Sequence, residues 1–169
     1  MKRILLIAVM AIKAHAAVPD VPADVKQAIL ASIKASNAPS ADDPKGGRHE
    51  EGGIWGLTSA GKLVVIPAKP GKAQLECGKT VSIYPGDAAN PDLDKDLATI
   101  IGEWHIHPSG IINSPDGKTY CDFVQPPSKQ DLSAAFDDIN IVVGASDKKV
   151  YFYNYKETTN IISLKDFLK

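Results

Sequence analysis

Cysteine, clustered basic charge and long apolar runs are what this 169-residue chain has little of. Past the first residues, no apolar stretch approaches the roughly 20 residues a membrane-crossing helix needs, so no stable membrane insertion of a mature chain is expected. Lysines and arginines never gather into a basic patch, which argues against nucleic acid as a partner. Internal repeats and low-complexity tracts are missing too. The length suits one domain with a proper core. There are two cysteines, Cys77 and Cys121. Their spacing matches no zinc-binding pair, so a disulfide is the preferred reading over joint metal ligation.

The start of the chain says where such a disulfide would form. Lys2 and Arg3 precede an apolar core, Ile4 to Ile12, too short to span a bilayer, and Ala14-His15-Ala16 is a small-residue cleavage pattern. Residues 1–16 therefore read as a secretory signal, with the mature chain beginning at Ala17. Removing Lys2, Arg3 and Lys13, and no acid, takes 19 basic against 20 acidic residues to 16 against 20. The expected product is a mildly acidic protein, secreted or periplasmic. There a Cys77–Cys121 bond is the simplest outcome, contributing about 4 kcal/mol in the chain-entropy model.

Chemistry concentrates in Gly102-Glu103-Trp104-His105-Ile106-His107-Pro108, behind the apolar run Leu97 to Ile101. The run predicts a strand. Side chains two apart on a strand share a face, so His105 and His107 can converge on one object while Trp104 and Ile106 face the other way. Imidazole pairs suit zinc. The pair alone also fits two polar residues on an exposed edge strand.

Around this stretch the pattern predicts a core-packing helix over Pro22 to Ser36, with Val25, Ile29 and Ile33 as its apolar stripe. A strand over His49 to Leu57 and another over Leu63 to Pro67 are expected to form a hairpin across Ser59-Ala60-Gly61. Ala68 to Lys79 reads as a loop, Thr80 to Tyr84 as a short strand, and Pro91 as the start of one helical turn. Ser109 to Pro127 reads as a long loop. A helix to about Phe136 comes next, then strands over Ile139 to Val143 and Val150 to Tyr155, and a short helix over Ser163 to Leu168. Trp55 and Trp104 are expected in the core. His49 is expected at the surface or in a loop, and the Tyr151-to-Tyr155 alternation needs no functional reading.

Two further pairs bear on the histidines. Ser128 and Asp131 stand three apart at a helix start, where Ser-x-x-Asp is a capping pair. If the loop folds back, Asp131 on the first turn could also supply a third metal ligand, and the two roles are compatible. Glu50 and Glu51 open a strand. Either they are a solvated acidic pair, or one of them is a general base beside the metal. Composition and periodicity do not choose.

Glu50, His105-Ile106-His107-Pro108 and Ser128-Lys129-Gln130-Asp131, in that order, resemble the motif of the JAMM (MPN-plus) metalloproteases over roughly residues 48–145. The resemblance looks closest to the secreted bacterial branch. It implies a mixed β-sheet flanked by helices, in a single α/β domain over 17–169 like that of cytidine deaminases. It implies zinc on His105, His107 and Asp131, Glu50 as general base and acid, and Ser128 steadying the oxyanion. The implied activity is hydrolysis of an amide or isopeptide bond in a peptide or protein substrate by zinc-activated water. The spacer from Ser109 to Gln125 is longer than the family's. It reads as an insertion pinned by Cys77–Cys121 that shapes or covers a substrate groove. Three alternatives stand beside this: a non-catalytic binding module on the same fold, a non-haem iron oxygenase using two histidines and a carboxylate, and a purely structural exported domain without stoichiometric metal. The oligomeric state is not written in the sequence.

Overall fold

Leu97–His107 forms an eleven-residue strand, β3, and its alternation sorts the protein into two layers. Trp104 and Ile106 point to one face and Glu103, His105 and His107 to the other. The computed structural model describes residues 17–77, 82–113, 120–136 and 139–169; the signal-like leader and residues 80–81 of the expected Thr80–Tyr84 strand lie outside them. Among the described residues the elements run α1 (Ala23–Asn37), β1 (Gly52–Thr58), β2 (Leu63–Pro67), α2 (Pro91–Asp94), β3, β4 (Ile111–Asn113), β5 (Tyr120–Asp122), α3 (Lys129–Ala134), β6 (Ile139–Gly144), β7 (Lys149–Tyr153), β8 (Thr158–Ser163) and α4 (Leu164–Phe167).

The result is a mixed α/β fold on a six-stranded sheet, ordered β2-β1-β3-β6-β7-β8. β3 and β6 are parallel, placing His105 opposite Val142 and His107 opposite Gly144. The other neighbours are antiparallel, including the β1–β2 hairpin. β4 and β5 form a separate two-stranded ribbon.

One face of the sheet buries Trp55, Trp104, Ile106, Ile141, Val143 and Phe152 against Val25 and Ile29 of α1 and Phe167 of α4. At roughly 25 cal/mol per Å² of apolar surface, each such large side chain contributes about 1.5–3 kcal/mol. Trp104 donates its indole N–H to Ser32 Oγ at 3.0 Å, which is why a serine is tolerated on the buried side of α1. Across β1–β3, Gly53 faces Trp104 and Gly102 faces Trp55. A Cβ on Gly102 would lie 2.3 Å from the Trp55 ring and one on Gly53 2.5 Å from Trp104. The two glycines thus make room for the two indoles, whose centroids are 6.2 Å apart. On the opposite face, Leu132 and Ala135 pack against Val142, Tyr151 and Tyr153.

Several boundaries differ from expectation. β1 begins at Gly52 rather than His49 and β7 ends at Tyr153 rather than Tyr155. α3 stops at Ala134, where Ala135 turns to extended backbone. Ser82 to Tyr84 carries no strand; it is irregular backbone, with the Ile83 N–H bonded to Glu50. The expected loop over Ser109 to Pro127 contains β4 and β5. β8 is an addition to the expected elements: Thr158-Thr159-Asn160-Ile161-Ile162 lacks strict alternation because it is an edge strand, half-covered on both sides.

His49 corrects a surface expectation. It is 5% exposed, with Nε2 3.2 Å from Glu51 Oε1 and Nδ1 facing fully buried Asp43. Arg48 binds Asp43 Oδ1 through its Nε at 2.6 Å and donates its backbone N–H to Oδ2 at 2.8 Å. Ser36 Oγ donates to the His49 carbonyl at 2.7 Å, tying the end of α1 to the chain entering β1. Burial alone would raise the Asp43 pKa; the Arg48 guanidinium and amide, with His49, outweigh it and hold the carboxyl below its ordinary value.

A depressed folded pKa stabilises above the unfolded carboxyl's value of about 3.9, and that stability is lost as pH falls through the folded value. Asp43→Asn should therefore cost about 2 kcal/mol at pH 7 in urea unfolding, and its deficit against the unmutated protein should shrink below about pH 4. A deficit unchanged at pH 3 would contradict the assignment.

Candidate metal centre

His105 and His107 reach the same spot because β3 is extended and central. The two residues are 4% and 5% exposed, with their Nε2 atoms 3.2 Å apart. The third group arrives from α3. Ser128 is its N-cap: Oγ accepts from the Asp131 backbone N–H at 3.2 Å, while Asp131 Oδ2 accepts from the Ser128 N–H at 2.5 Å. That box fixes the Asp131 carboxylate over the histidines. Oδ1 lies 3.4 Å from His105 Nε2 and Oδ2 3.4 Å from His107 Nε2. The long spacer does bring Asp131 back. At the far end of α3 the buried Asn140 amide bonds the Phe136 N–H and C=O at 2.8 and 3.0 Å, stapling the chain after the helix onto β6.

Hydrogen bonds around the triad set its charge. His107 Nδ1 faces the Gln125 carbonyl at 3.2 Å. A carbonyl only accepts, so in the tautomer that uses this contact Nδ1 carries the proton and Nε2 turns a lone pair toward the site, the form a metal requires. His105 Nδ1 is buried with no hydrogen-bond partner among the described residues. Burial by itself would lower the His105 pKa; Asp131, and the charges of Glu50 and Glu103, more than reverse this and raise it. Burial would likewise raise Asp131, and its contacts with both histidines and Ser128 pull it far down instead. The spot favours positive charge. His105, His107 and Asp131 could hold a metal ion.

The triad opens into a cavity of about 540 Å³ whose walls also carry Glu50, Ser128, Glu103 and Tyr153. No lysine or arginine is among the described residues lining it. Glu50 accepts from the Ile83 backbone N–H at 3.1 Å through Oε2, and burial raises its pKa against the lowering influence of the two histidines. Glu51 binds His49 instead, so the geometry separates two residues the sequence could not. Ile83, Tyr84, Phe123 and Val124 add apolar lining. The strand pair β4–β5 that precedes Phe123 is tied to the 68–77 segment by the Cys77–Cys121 disulfide, Cα–Cα 6.0 Å. The chain between β3 and α3 thus contributes a wall of the cavity.

Glu103 and Tyr153 carry no assigned role in the sequence pattern. Glu103 is 4% exposed, and Tyr153 donates its hydroxyl to Glu103 Oε1 at 2.8 Å. Burial raises both pKa values, Glu103 against the phenol's hydrogen bond and Tyr153 with the carboxylate's help. Strand alternation held the signal: Glu103 is two residues from His105 on the same face. No protein-family model, curated protein or solved structure matches the chain.

A divalent transition metal at 100 times its Kd should stabilise the protein by about 2.7 kcal/mol, or raise Tm by about 5–10 °C. His105→Ala and Asp131→Ala should remove that shift. An equal shift in both variants, read by differential scanning calorimetry, would place the metal elsewhere.

Proposed function

We propose that this chain is an exported zinc metallopeptidase of the JAMM (MPN-plus) type, hydrolysing an amide or isopeptide bond in a peptide or protein substrate. The fold would be the single JAMM/cytidine-deaminase-like domain, over 17–169. The observation that carries the proposal is the convergence of His105, His107, Asp131 and Glu50 on one cavity. One ligand atom from each of His105, His107 and Asp131 lies within 4.8 Å of the other two, and the two Nε2 atoms are 3.2 Å apart, close to the roughly 3.3–3.4 Å between ligand atoms on a tetrahedral zinc with bonds of about 2.0–2.1 Å. Two imidazoles and one carboxylate, with room in front of them, are a donor set that fits zinc in a catalytic site. Bound there, zinc would polarise the scissile carbonyl and make water a better nucleophile near neutral pH.

The protein's own groups do the rest. Glu50 lines the cavity and takes a proton from the attacking water, then delivers it to the leaving amine. Its raised pKa suits an acid–base group working in both directions. Ser128 Oγ already accepts from the Asp131 N–H, so its hydroxyl hydrogen remains to donate to the oxyanion that develops on the substrate carbonyl. Glu50 and Ser128 have no role in an iron oxygenase, which favours hydrolysis. Export is supported by the disulfide.

The test is metal analysis and turnover of the mature protein, purified with its disulfide intact, on a panel of peptide and isopeptide substrates. One zinc per chain is expected. Glu50→Gln should keep the zinc and lose about 10²–10⁴-fold in kcat. Turnover unaffected by Glu50→Gln, or activity that needs iron and oxygen, would overturn the proposal.

A further inference from the structure

The segment between β3 and α3 has to return Asp131 to histidines it left more than 20 residues earlier. One side chain stands at the point of return. Gln125 Nε2 donates to the Pro108 carbonyl at 3.0 Å and to the Phe123 carbonyl at 2.9 Å. Its Oε1 accepts from the Ser146 N–H at 2.8 Å. Its own backbone carbonyl accepts from His107 Nδ1 at 3.2 Å. Both amide hydrogens are used, and one group joins the end of β3, the turn after β6 and the incoming loop.

The chain continues into Pro126-Pro127-Ser128. Two prolines fix their own φ angles, and each restricts the residue before it, so Gln125 to Ser128 is a short stiff bridge. Ser128 then caps α3 and holds the Asp131 carboxylate. The position of Gln125 is therefore passed to two of the three ligand residues: to His107 through the carbonyl, and to Asp131 through the prolines and the cap.

We infer that Gln125 is a positioning residue of the metal centre: it closes the long spacer onto the end of β3 and fixes the His107 ring with Nε2 aimed at the site. The inference deepens the proposed function and rests on it only for the metal-affinity part of its test. Among side chains only asparagine and glutamine carry two donors and an acceptor on one amide, and glutamine is the longer of the two. Glutamate keeps the acceptor toward Ser146 and loses both donors, setting a carboxylate against two carbonyl oxygens.

The experiment has two parts. In the first, zinc affinity is measured by competition with a chromophoric chelator for the unmutated protein, Gln125→Ala and Gln125→Glu, beside the urea midpoint of each metal-free form. Both variants should bind zinc about 10–100-fold more weakly, with the metal-free chains still folded. Affinity within twofold of the unmutated protein in either variant would overturn the inference. In particular, full affinity in Gln125→Glu would reduce the residue to its Ser146 contact. The second part uses the unmutated, metal-free protein and so does not depend on a variant folding. Nitrogen-15 NMR of the imidazoles, at a pH where both rings are neutral, should find His107 protonated on Nδ1. Protonation on Nε2 would overturn the inference. If the unmutated protein takes up no zinc, the proposed function falls, and the His107 tautomer still decides the role of Gln125.

Discussion

The pairing of β3 between β1 and β6 is the constraint on which the site depends. A strand in the middle of a sheet cannot slip by one residue without turning Trp104 and Ile106 out of the core. The bond from Trp104 to Ser32 and the packing under α1 therefore hold His105 and His107 on the opposite face as firmly as they hold the core. Gly53 and Gly102 belong to the same arrangement, since each leaves space for the indole on the neighbouring strand. The packing of one face thus sets the aim of the other.

Asp131 shows how one side chain can serve folding and chemistry together. Its carboxylate closes the capping box with Ser128 and faces both imidazoles. A short helix such as α3 is marginal by itself. It is held by its cap, by Asn140 at its far end and by Leu132 against the sheet. Half-buried Glu50 and buried Glu103 stand beside the histidines, each accepting one hydrogen bond, and desolvation raises the pKa of both.

Much of this is legible in the residues. Alternation places the two histidines on one face and Trp104 on the other. The Ser-x-x-Asp spacing marks the cap of α3, and two isolated cysteines mark the disulfide. Glu103 and Tyr153 are equally open to the alternation argument, but a lone acid and a strand tyrosine look the same in sequence whether they face solvent or a cavity. The β4–β5 pair is hidden behind its turn signals, although Asp116-Gly117 between Ile111-Ile112 and Tyr120 has hairpin composition. Gln125 and the buried Asp43–Arg48–His49 knot leave no sequence signal, because their partners are backbone groups and side chains brought together by loops. What a glutamine bonds across 17 to 21 residues is decided by the fold and not by any local pattern.

The most direct test of a zinc centre on β3 and α3 is anomalous X-ray diffraction at the zinc edge from crystals of the mature protein. One strong peak between His105 Nε2, His107 Nε2 and the Asp131 carboxylate is the expected result, with Glu50 facing it across the cavity. No peak there, after crystals are grown with zinc present, would contradict the metal centre and leave Asp131 as the cap of a short helix beside two buried histidines.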